Sequence, residues 1–227
     1  MNIGIIGYGK MGQAVEQVAI DKNHSIIFKI NTTNIQELNP QNLSKVDVAI
    51  EFSNPKDAFN NITFCLKHQT PIVSGTTGWL NKIEEVKNIS KQHNTPFLYS
   101  ENFSLGVNCF FKLNQIIARL THTHNYNACI NETHHTSKKD KPSGTAIKLA
   151  NDISKIWNKT IPTPIKSHRK TNIKGEHLVS YSSEIDTIEI KHTAHSRVGF
   201  AKGAILASEF IQKKTGFFSM EDVLNNL

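Results

Sequence analysis

Cysteine is scarce in this chain of 227 residues, and the three present, Cys65, Cys109 and Cys129, lie far apart. No C-x-x-C pair occurs, which excludes a zinc ribbon and the disulfide framework of small secreted domains. Their apolar neighbours predict that all three are small core residues. Long hydrophobic runs are missing too, so no stretch reaches the ~20 residues of a transmembrane helix. The first strand begins within a residue or two of Met1, which leaves no room for a leader peptide. The expectation is a cytoplasmic protein with no membrane partner. Internal repeats and low-complexity tracts are absent. Positive charge is in excess, 26 Lys+Arg against 19 Asp+Glu, for a net +7. These cations are scattered, without a basic helix or arm, so they favour solubility and a small anionic partner over nucleic acid. A hydrophobic content of 38% is enough for one or two globular cores.

What is present is alternation. Asn2–Ile6, Ser25–Ile30, Val46–Ile50, Pro71–Ser74 and Pro96–Ser100 read as short buried strands, with helical patterns after most of them. The segment from 31 to about Ser44 reads as a polar loop, and Trp79 to about His93 as one helix. Ser53-Asn54-Pro55 has the cap and first-turn proline of a helix start. Such order predicts an α/β, doubly wound, Rossmann-like parallel sheet with helices on both faces. The character changes near Phe103. Leu105–Leu120 is a helix with a broad apolar face, Tyr126–Glu132 is strand-like, and Ser143 to about Trp157 is helical. Residues 158–175 read as a long loop, His177–Ser182 and Thr187–Thr193 as antiparallel strands, and Phe200–Lys213 as a closing helix. Two domains follow: residues 1–103 with about 198–227 for a dinucleotide, and 104–197 as an α+β unit with a mixed or antiparallel sheet for substrate binding and oligomerisation.

Gly7-Tyr8-Gly9-Lys10-Met11-Gly12 follows a strand and opens a helix, the setting a dinucleotide fingerprint requires. The glycines allow a tight turn, a close approach to pyrophosphate and close helix–strand packing, while the helix start supplies N–H groups. No carboxylate ends the second strand; Asn31 stands there and can bond a ribose hydroxyl. With Lys10 and Lys29 nearby, NADPH is admitted beside NADH. Gly75-Thr76-Thr77 and Ser100-Glu101-Asn102-Phe103 each follow a strand, at the carboxyl edge where ligands of such sheets bind.

The second cluster is Glu132-Thr133-His134-His135-Thr136-Ser137-Lys138-Lys139-Asp140-Lys141-Pro142-Ser143-Gly144-Thr145. Successive residues of an extended segment point to opposite sides, so His134 and His135 are expected to do different jobs. An imidazole titrating near 6.5 suits proton donation at neutral pH. Lys138, Lys139 and Lys141 supply cations, and Ser143-Gly144-Thr145 offers a hydroxyl and free N–H groups at a helix start, a seat for a carboxylate. His122-x-His124 and His192-x-x-His195 lack a third ligand at familiar spacing, so no metal is expected.

Together these motifs resemble the 4-hydroxy-tetrahydrodipicolinate reductases (dihydrodipicolinate reductases) of diaminopimelate and lysine biosynthesis, over nearly the whole chain. The resemblance rests most on Glu132-x-His134-His135-x-x-Lys138-x-Asp140-x-Pro142-Ser143-Gly144-Thr145-Ala146, supported by Phe52-Ser53-Asn54-Pro55, Gly75-Thr76-Thr77-Gly78 and Gly175-Glu176-His177. It implies a cytosolic homotetramer that delivers hydride from NAD(P)H to a cyclic unsaturated imine dicarboxylate, with loss of water, giving tetrahydrodipicolinate. By the same resemblance His134 is the proton donor/acceptor and Lys138 a second proton donor. The resemblance puts His135 on a substrate contact, Gly144-Thr145 on the carboxylate-binding turn and Arg197 on a basic position near the substrate, and the cap hydroxyl of Ser143 joins them as a substrate-binding group. Arg169-Lys170-Thr171 lacks a glycine usual in that loop. Cys109 in an apolar helix and Cys129 in a strand offer no activated thiol, which sets aside thiolate-dependent dehydrogenases.

Overall fold

The computed structural model describes residues 1–159, 163–196 and 198–227, and the chain divides into two units. The first comprises Met1–Leu105 with Arg197–Leu227, and the second Gly106–Ser196.

The first unit runs β1 (Asn2–Ile6), α1 (Lys10–Asp21), β2 (Ser25–Ile30), α2 (Pro40–Leu43), β3 (Val48–Glu51), α3 (Pro55–Lys67), β4 (Ile72–Ser74), α4 (Ile83–Gln92) and β5 (Phe97–Tyr99). The second holds α5 (Leu105–Thr121, from Gly106 on), β6 (Asn127–His134), α6 (Gly144–Ile156), β7 (Ile165–Arg169), β8 (Glu176–Ser182) and β9 (Thr187–Thr193). The chain then returns to the first unit through α7 (Val198–Phe210), β10 (Phe217–Phe218) and α8 (Met220–Leu224).

Six parallel strands in the order β10-β5-β4-β3-β1-β2 form the first sheet. Because β1 pairs with both β2 and β3, the winding reverses there, and the carboxyl ends of β1 and β3 flank the switch point where such sheets take ligands. β3, β4 and β5 are buried along their whole length, which is why they read as unbroken apolar runs rather than alternating ones. Asn54 caps α3 through the N–H groups of Lys56 and Asp57, with Pro55 in the first turn. On one face of the sheet lies a core that includes Ile3, Ile50, Leu98, Phe103, Ala204 and Ile205. α7 approaches so closely that a Cβ on Gly203 would lie 1.7 Å from the Phe103 carbonyl oxygen.

In the second unit β6 is parallel to β7 and antiparallel to β8, which pairs antiparallel with β9. The sheet is mixed. Ile130, Glu132 and His134 alternate onto the buried face of β6, and His177, Val179 and Tyr181 onto that of β8. Ile130, Val179 and Tyr181 pack with Phe110, Leu149 and Trp157. The other end of that face carries charge and imidazole.

Four helices end alike. One residue past the caps of α1, α3, α4 and α6, Asn23, Gln69, Asn94 and Asn158 adopt φ of 59°, 56°, 51° and 50°. In each, the next N–H reaches back to a carbonyl of the last turn, as His24 to Ala19 at 2.9 Å and Thr70 to Cys65 at 3.0 Å.

Several expectations need correction. Residues 158–175 are not one loop, because Ile165–Arg169 forms β7 against β6; with one apolar residue in five, only the pairing reveals it. The polar stretch before Ser44 contains a 3-10 turn at Ile35–Glu37 and α2, where Asn39 caps and Leu43 is buried. The helix expected from Trp79 is split into a 3-10 turn, Leu80–Lys82, and α4. β10 and α8 were not anticipated. Cys65 is buried, but Cys129 is half-buried and Cys109 exposed. Cys109 shares a stripe of α5 with Leu113, Ile116 and Leu120, which are 50%, 40% and 69% exposed, while the unit buries the side carrying Val107, Phe110, Phe111 and Ala118.

Gly203→Ala tests the packing of α7. An exposed helical glycine gains up to ~1 kcal/mol on this change, whereas the forced shift off Phe103 costs about 1–3 kcal/mol or more. A lower midpoint in chemical or thermal unfolding is expected; an unchanged or raised one contradicts the close approach.

Candidate active site

The first unit gathers its ligand-facing turns at the carboxyl edge of the sheet. Gly7, at the end of β1, has φ +94°, and a Cβ there would lie 2.2 Å from the Phe52 carbonyl oxygen, so no side chain fits. A Cβ on Gly12 would meet the Gly7 oxygen at 2.4 Å, which brings the start of α1 against the turn. Gly9 faces open space and caps α1 without a side-chain bond, leaving first-turn N–H groups for a ligand. Lys10 is exposed and Met11 half-buried. These features fit a pyrophosphate.

Tyr8 donates its hydroxyl to Glu16, which also binds Lys29 Nζ at 3.1 Å, and Lys29 lies 4.9 Å over the Tyr8 ring. Asn31 Oδ1 accepts from the N–H and hydroxyl of Thr33, so this side chain shapes its own turn. Behind Gly75-Thr76-Thr77 lies Glu51, wholly buried. It accepts from the Ser53 N–H and hydroxyl at 2.9 and 2.5 Å, Ser74 Oγ at 2.5 Å and Thr76 Oγ1 at 2.8 Å. Thr76 is thus committed to the scaffold, while Thr77 is exposed. Ser100 Oγ donates to the Asn102 carbonyl, Glu101 is exposed, and the Phe103 side chain belongs to the core.

In the second unit, register builds the site. Glu132 faces His177 across β6 and β8, and His134 faces Arg169 across β6 and β7. Glu132 is fully buried. Its Oε1 lies 3.2 Å from Arg169 Nη1 and 3.3 Å from the Ser143 N–H, and its Oε2 lies 2.5 Å from His134 Nδ1. The His134 and His177 rings meet edge to face at 5.0 Å, and His177 Nε2 lies 3.1 Å from Ser143 Oγ. Ser143 also caps α6, accepting from the Ala146 N–H at 3.3 Å. Gly144 faces open space and Thr145 is half-buried.

His135 stands outside β6 and is half-buried, with Nδ1 2.7 Å from Ser137 Oγ. Lys138 Nζ pairs with Asp140 at 2.8 Å, and Arg169 donates to the Asp140 carbonyl at 2.5 Å, which ties down the lysine loop. Arg197 lies outside the described residues. Sequence reasoning missed Arg169 and His177 as site groups, and did not assign Glu132 a role. The two-residue spacing from Glu132 to His134 was the available signal, since it puts both on one face.

Burial opposes a charge on Glu132, but the nearby polar groups of Ser167 and Ser143, with Arg169 and His134, outweigh it and hold its carboxyl down at about 2. Burial lowers His134, partly offset by Glu132, and lowers His177 to about 4, so His177 is neutral at pH 7. Donor atoms of Glu132, His134 and His177 lie within 4.8 Å of one another, as a cation site would need. Arg169 already neutralises Glu132, and that favours proton handling over metal binding.

Two family models meet near residue 105, and the second runs on through the segment that returns to the first unit. The family description "Dihydrodipicolinate reductase, N-terminus" matches residues 1–103, and "Dihydrodipicolinate reductase, C-terminus" matches residues 106–224. A protein named 4-hydroxy-tetrahydrodipicolinate reductase from Christiangramia forsetii is 47% identical over 238 residues, spanning 100% of this chain and 99% of that protein. One of the same name from Thermosipho africanus is 35% identical and covers 99% of this chain and 98% of its own. Among solved structures, a dipicolinate-bound dihydrodipicolinate reductase from Paenisporosarcina has a TM-score of 0.84 over 96% of this chain and 97% of that one. Its 20% identity speaks for the fold.

His177 sets an acid limit. Its value falls from 6.5 to about 4 on folding, so the unfolded chain binds the extra proton between those values. Its stabilisation is complete above pH 6.5 and is lost as pH falls toward 4, on the order of 3 kcal/mol. Unfolding midpoints should drop steadily across that window and less steeply in His177→Gln; equal slopes contradict the assignment.

Proposed function

This chain belongs to the dihydrodipicolinate reductase family, and from that membership we propose that it reduces 4-hydroxy-tetrahydrodipicolinate to tetrahydrodipicolinate, with loss of water, in lysine and diaminopimelate biosynthesis. The observation that carries the reading is the buried His134 at the end of β6, joined through Glu132 and Ser143 to an open helix start at Gly144. A proton donor and a carboxylate seat are thereby built into one rigid end of one sheet. The reduced nicotinamide, when bound, supplies the hydride.

The residues divide the remaining work. Gly7, Gly9, Gly12 and the first turn of α1 hold the pyrophosphate, with Lys10 adding an exposed cation. Gly75-Thr76-Thr77 and Ser100-Glu101-Asn102 line the same carboxyl edge. Lys29 is neutralised by Glu16, and Asn31 puts no anion where a 2′-phosphate would sit, so both NADH and NADPH are accepted. The Gly144 and Thr145 N–H groups, with the Ser143 hydroxyl and His135, bind substrate carboxylates, and Arg197 adds charge. Reduction builds negative charge on the substrate, which His134 quenches by donating a proton. Lys138 is the second donor. A bound dicarboxylate favours the charged form of His134 and so offsets its burial.

The chain is further proposed to act in the cytoplasm as a homotetramer. Exposed Leu113, Ile116 and Leu120 on α5, Ile185 in the turn before β9 and Ile188 on β9 supply apolar surface for association. Among the described residues no helix is long and apolar enough to cross a membrane.

Steady-state kinetics with freshly generated substrate test the assignment. Oxidation of both NADH and NADPH is expected, and oxidation of neither removes the activity. His134→Ala should lower kcat by about 10²–10⁴ without changing nucleotide affinity, and Lys138→Ala should lower kcat by ~10² rather than only raise KM. Unchanged turnover removes either residue from the chemistry. For the assembly, light scattering should read four times 25.5 kDa; a smaller mass excludes the tetramer.

A further inference from the structure

A carboxylate with no access to water is costly to keep ionised unless every oxygen has a partner. Glu132 divides its oxygens. Oε1 takes Arg169 and the Ser143 N–H, and Oε2 is left to the His134 ring. Arg169 is itself held by three carbonyls, of Lys138 at 3.4 Å, His168 at 2.7 Å and Asp140 at 2.5 Å, so it cannot swing away freely. The His134 backbone is fixed as well, since the Lys170 N–H donates to its carbonyl at 2.8 Å. Glu132 Oε2 and His134 Nδ1 are both buried, and neither has an aligned hydrogen bond. Their 2.5 Å approach lies off the ring N–H direction, a misalignment of the kind that tightens when a ligand binds.

The opposite ring nitrogen is treated differently. His134 Nε2 has no hydrogen-bond partner among the described residues, and a Cβ on Gly175 would lie 3.1 Å from it. Glycine at 175 therefore leaves out a side chain that would crowd Nε2. One nitrogen faces a carboxylate and the other faces a glycine.

We propose that Glu132 is a positioning residue: it holds His134 by Nδ1, so that the proton exchanged with the substrate enters and leaves only at Nε2. The inference rests on His134 being the proton donor. A neutral imidazole has two tautomers, and an anionic acceptor at Nδ1 selects the one protonated there. In the charged ring the same carboxylate stabilises the imidazolium. On donation the Nε2–H bond breaks, its electrons remain on Nε2, and the proton goes to the substrate atom that has gained electron density. The ring is left as the Nδ1–H tautomer it already prefers, and a proton from solvent restores the donor without rotation. Arg169 and the Ser143 N–H keep Glu132 ionised and turned so that Oε2 alone meets the ring. The other charged or titratable groups around it are His177 from β8 and Lys138 and Asp140 from the loop.

Glu132→Gln keeps the shape and removes the charge. In steady-state assays with NADH, kcat should fall about ten- to a hundred-fold, with little change in KM or in the binding of pyridine-2,6-dicarboxylate. The limb on which activity falls with rising pH should move to lower pH, because Glu132 favours the charged ring. A residue of merely structural importance would scale kcat equally at all pH values, and that result overturns the proposal. If His134→Ala abolishes turnover while Glu132→Gln keeps the wild-type rate and limb, the positioning role alone fails. If His134→Ala is fully active, the proton-donor reading fails, whatever Glu132 does. Should Glu132→Gln not fold, the wild-type protein decides. Long-range 1H–15N imidazole spectra above neutral pH, with His134 identified by its loss in His134→Ala, should show the Nδ1–H tautomer. The Nε2–H tautomer overturns the proposal.

Discussion

Each unit is organised around one carboxylate that water does not reach. Glu51 and Glu132 both have zero exposure, and both sit at or near the end of a strand where a chain turn must be held in shape. An isolated buried charge is prohibitive, so each forces nearby donors into fixed places. Glu51 draws in the hydroxyls of Ser53, Ser74 and Thr76, fixing the turns after β3 and β4. Glu132 draws in Arg169, the Ser143 N–H and the His134 ring, fixing the end of β6, the end of β7 and the start of α6. Loops that are free to vary in conformation elsewhere are here tied to the sheet. That stiffness is what a site on loops needs, because a misplaced donor loses most of its effect.

The two carboxylates differ in what they hold. Glu51 meets neutral hydroxyls and an amide, and so only holds two turns in shape. Glu132 meets a guanidinium and an imidazole, and so sits within an array that can move a proton. Burial sorts the two imidazoles beside it. His177 is kept neutral by burial, while His134 is lowered by burial yet supported by its carboxylate. Two histidines at contact distance thus differ in acidity for stated reasons, which is how neighbouring groups of one type acquire separate duties.

Much of this was legible in the sequence. The buried parallel strands read as unbroken apolar runs, the glycine turn lay between strand and helix, and Asn54-Pro55 marked a helix start. The paired imidazoles and the Ser-Gly-Thr cap were found by residue type alone. What stayed hidden depends on partners remote in sequence. Ile165–Arg169 has too little apolar character to be seen as a strand, and becomes one only beside β6. With it came Arg169, which looked like a loop cation. The sequence places His177 in a strand, but its position opposite Glu132 is a matter of register, which one chain alone does not display. Cys109 was misplaced because α5 is apolar around more of its circumference than the second unit can bury.

The helix endings have a consequence for how glycine is used. In α1, α3, α4 and α6 the left-handed residue that glycine usually occupies is asparagine or glutamine. Amide side chains restrict the unfolded chain more than glycine does, so these stops give up less disorder on folding. They also leave few of the 12 glycines engaged in ending helices. Glycine also stands where two pieces of backbone, or backbone and ring, come nearer than a Cβ allows: Gly4, Gly7, Gly12, Gly75 and Gly203. At those positions glycine is a mark of proximity more than of flexibility.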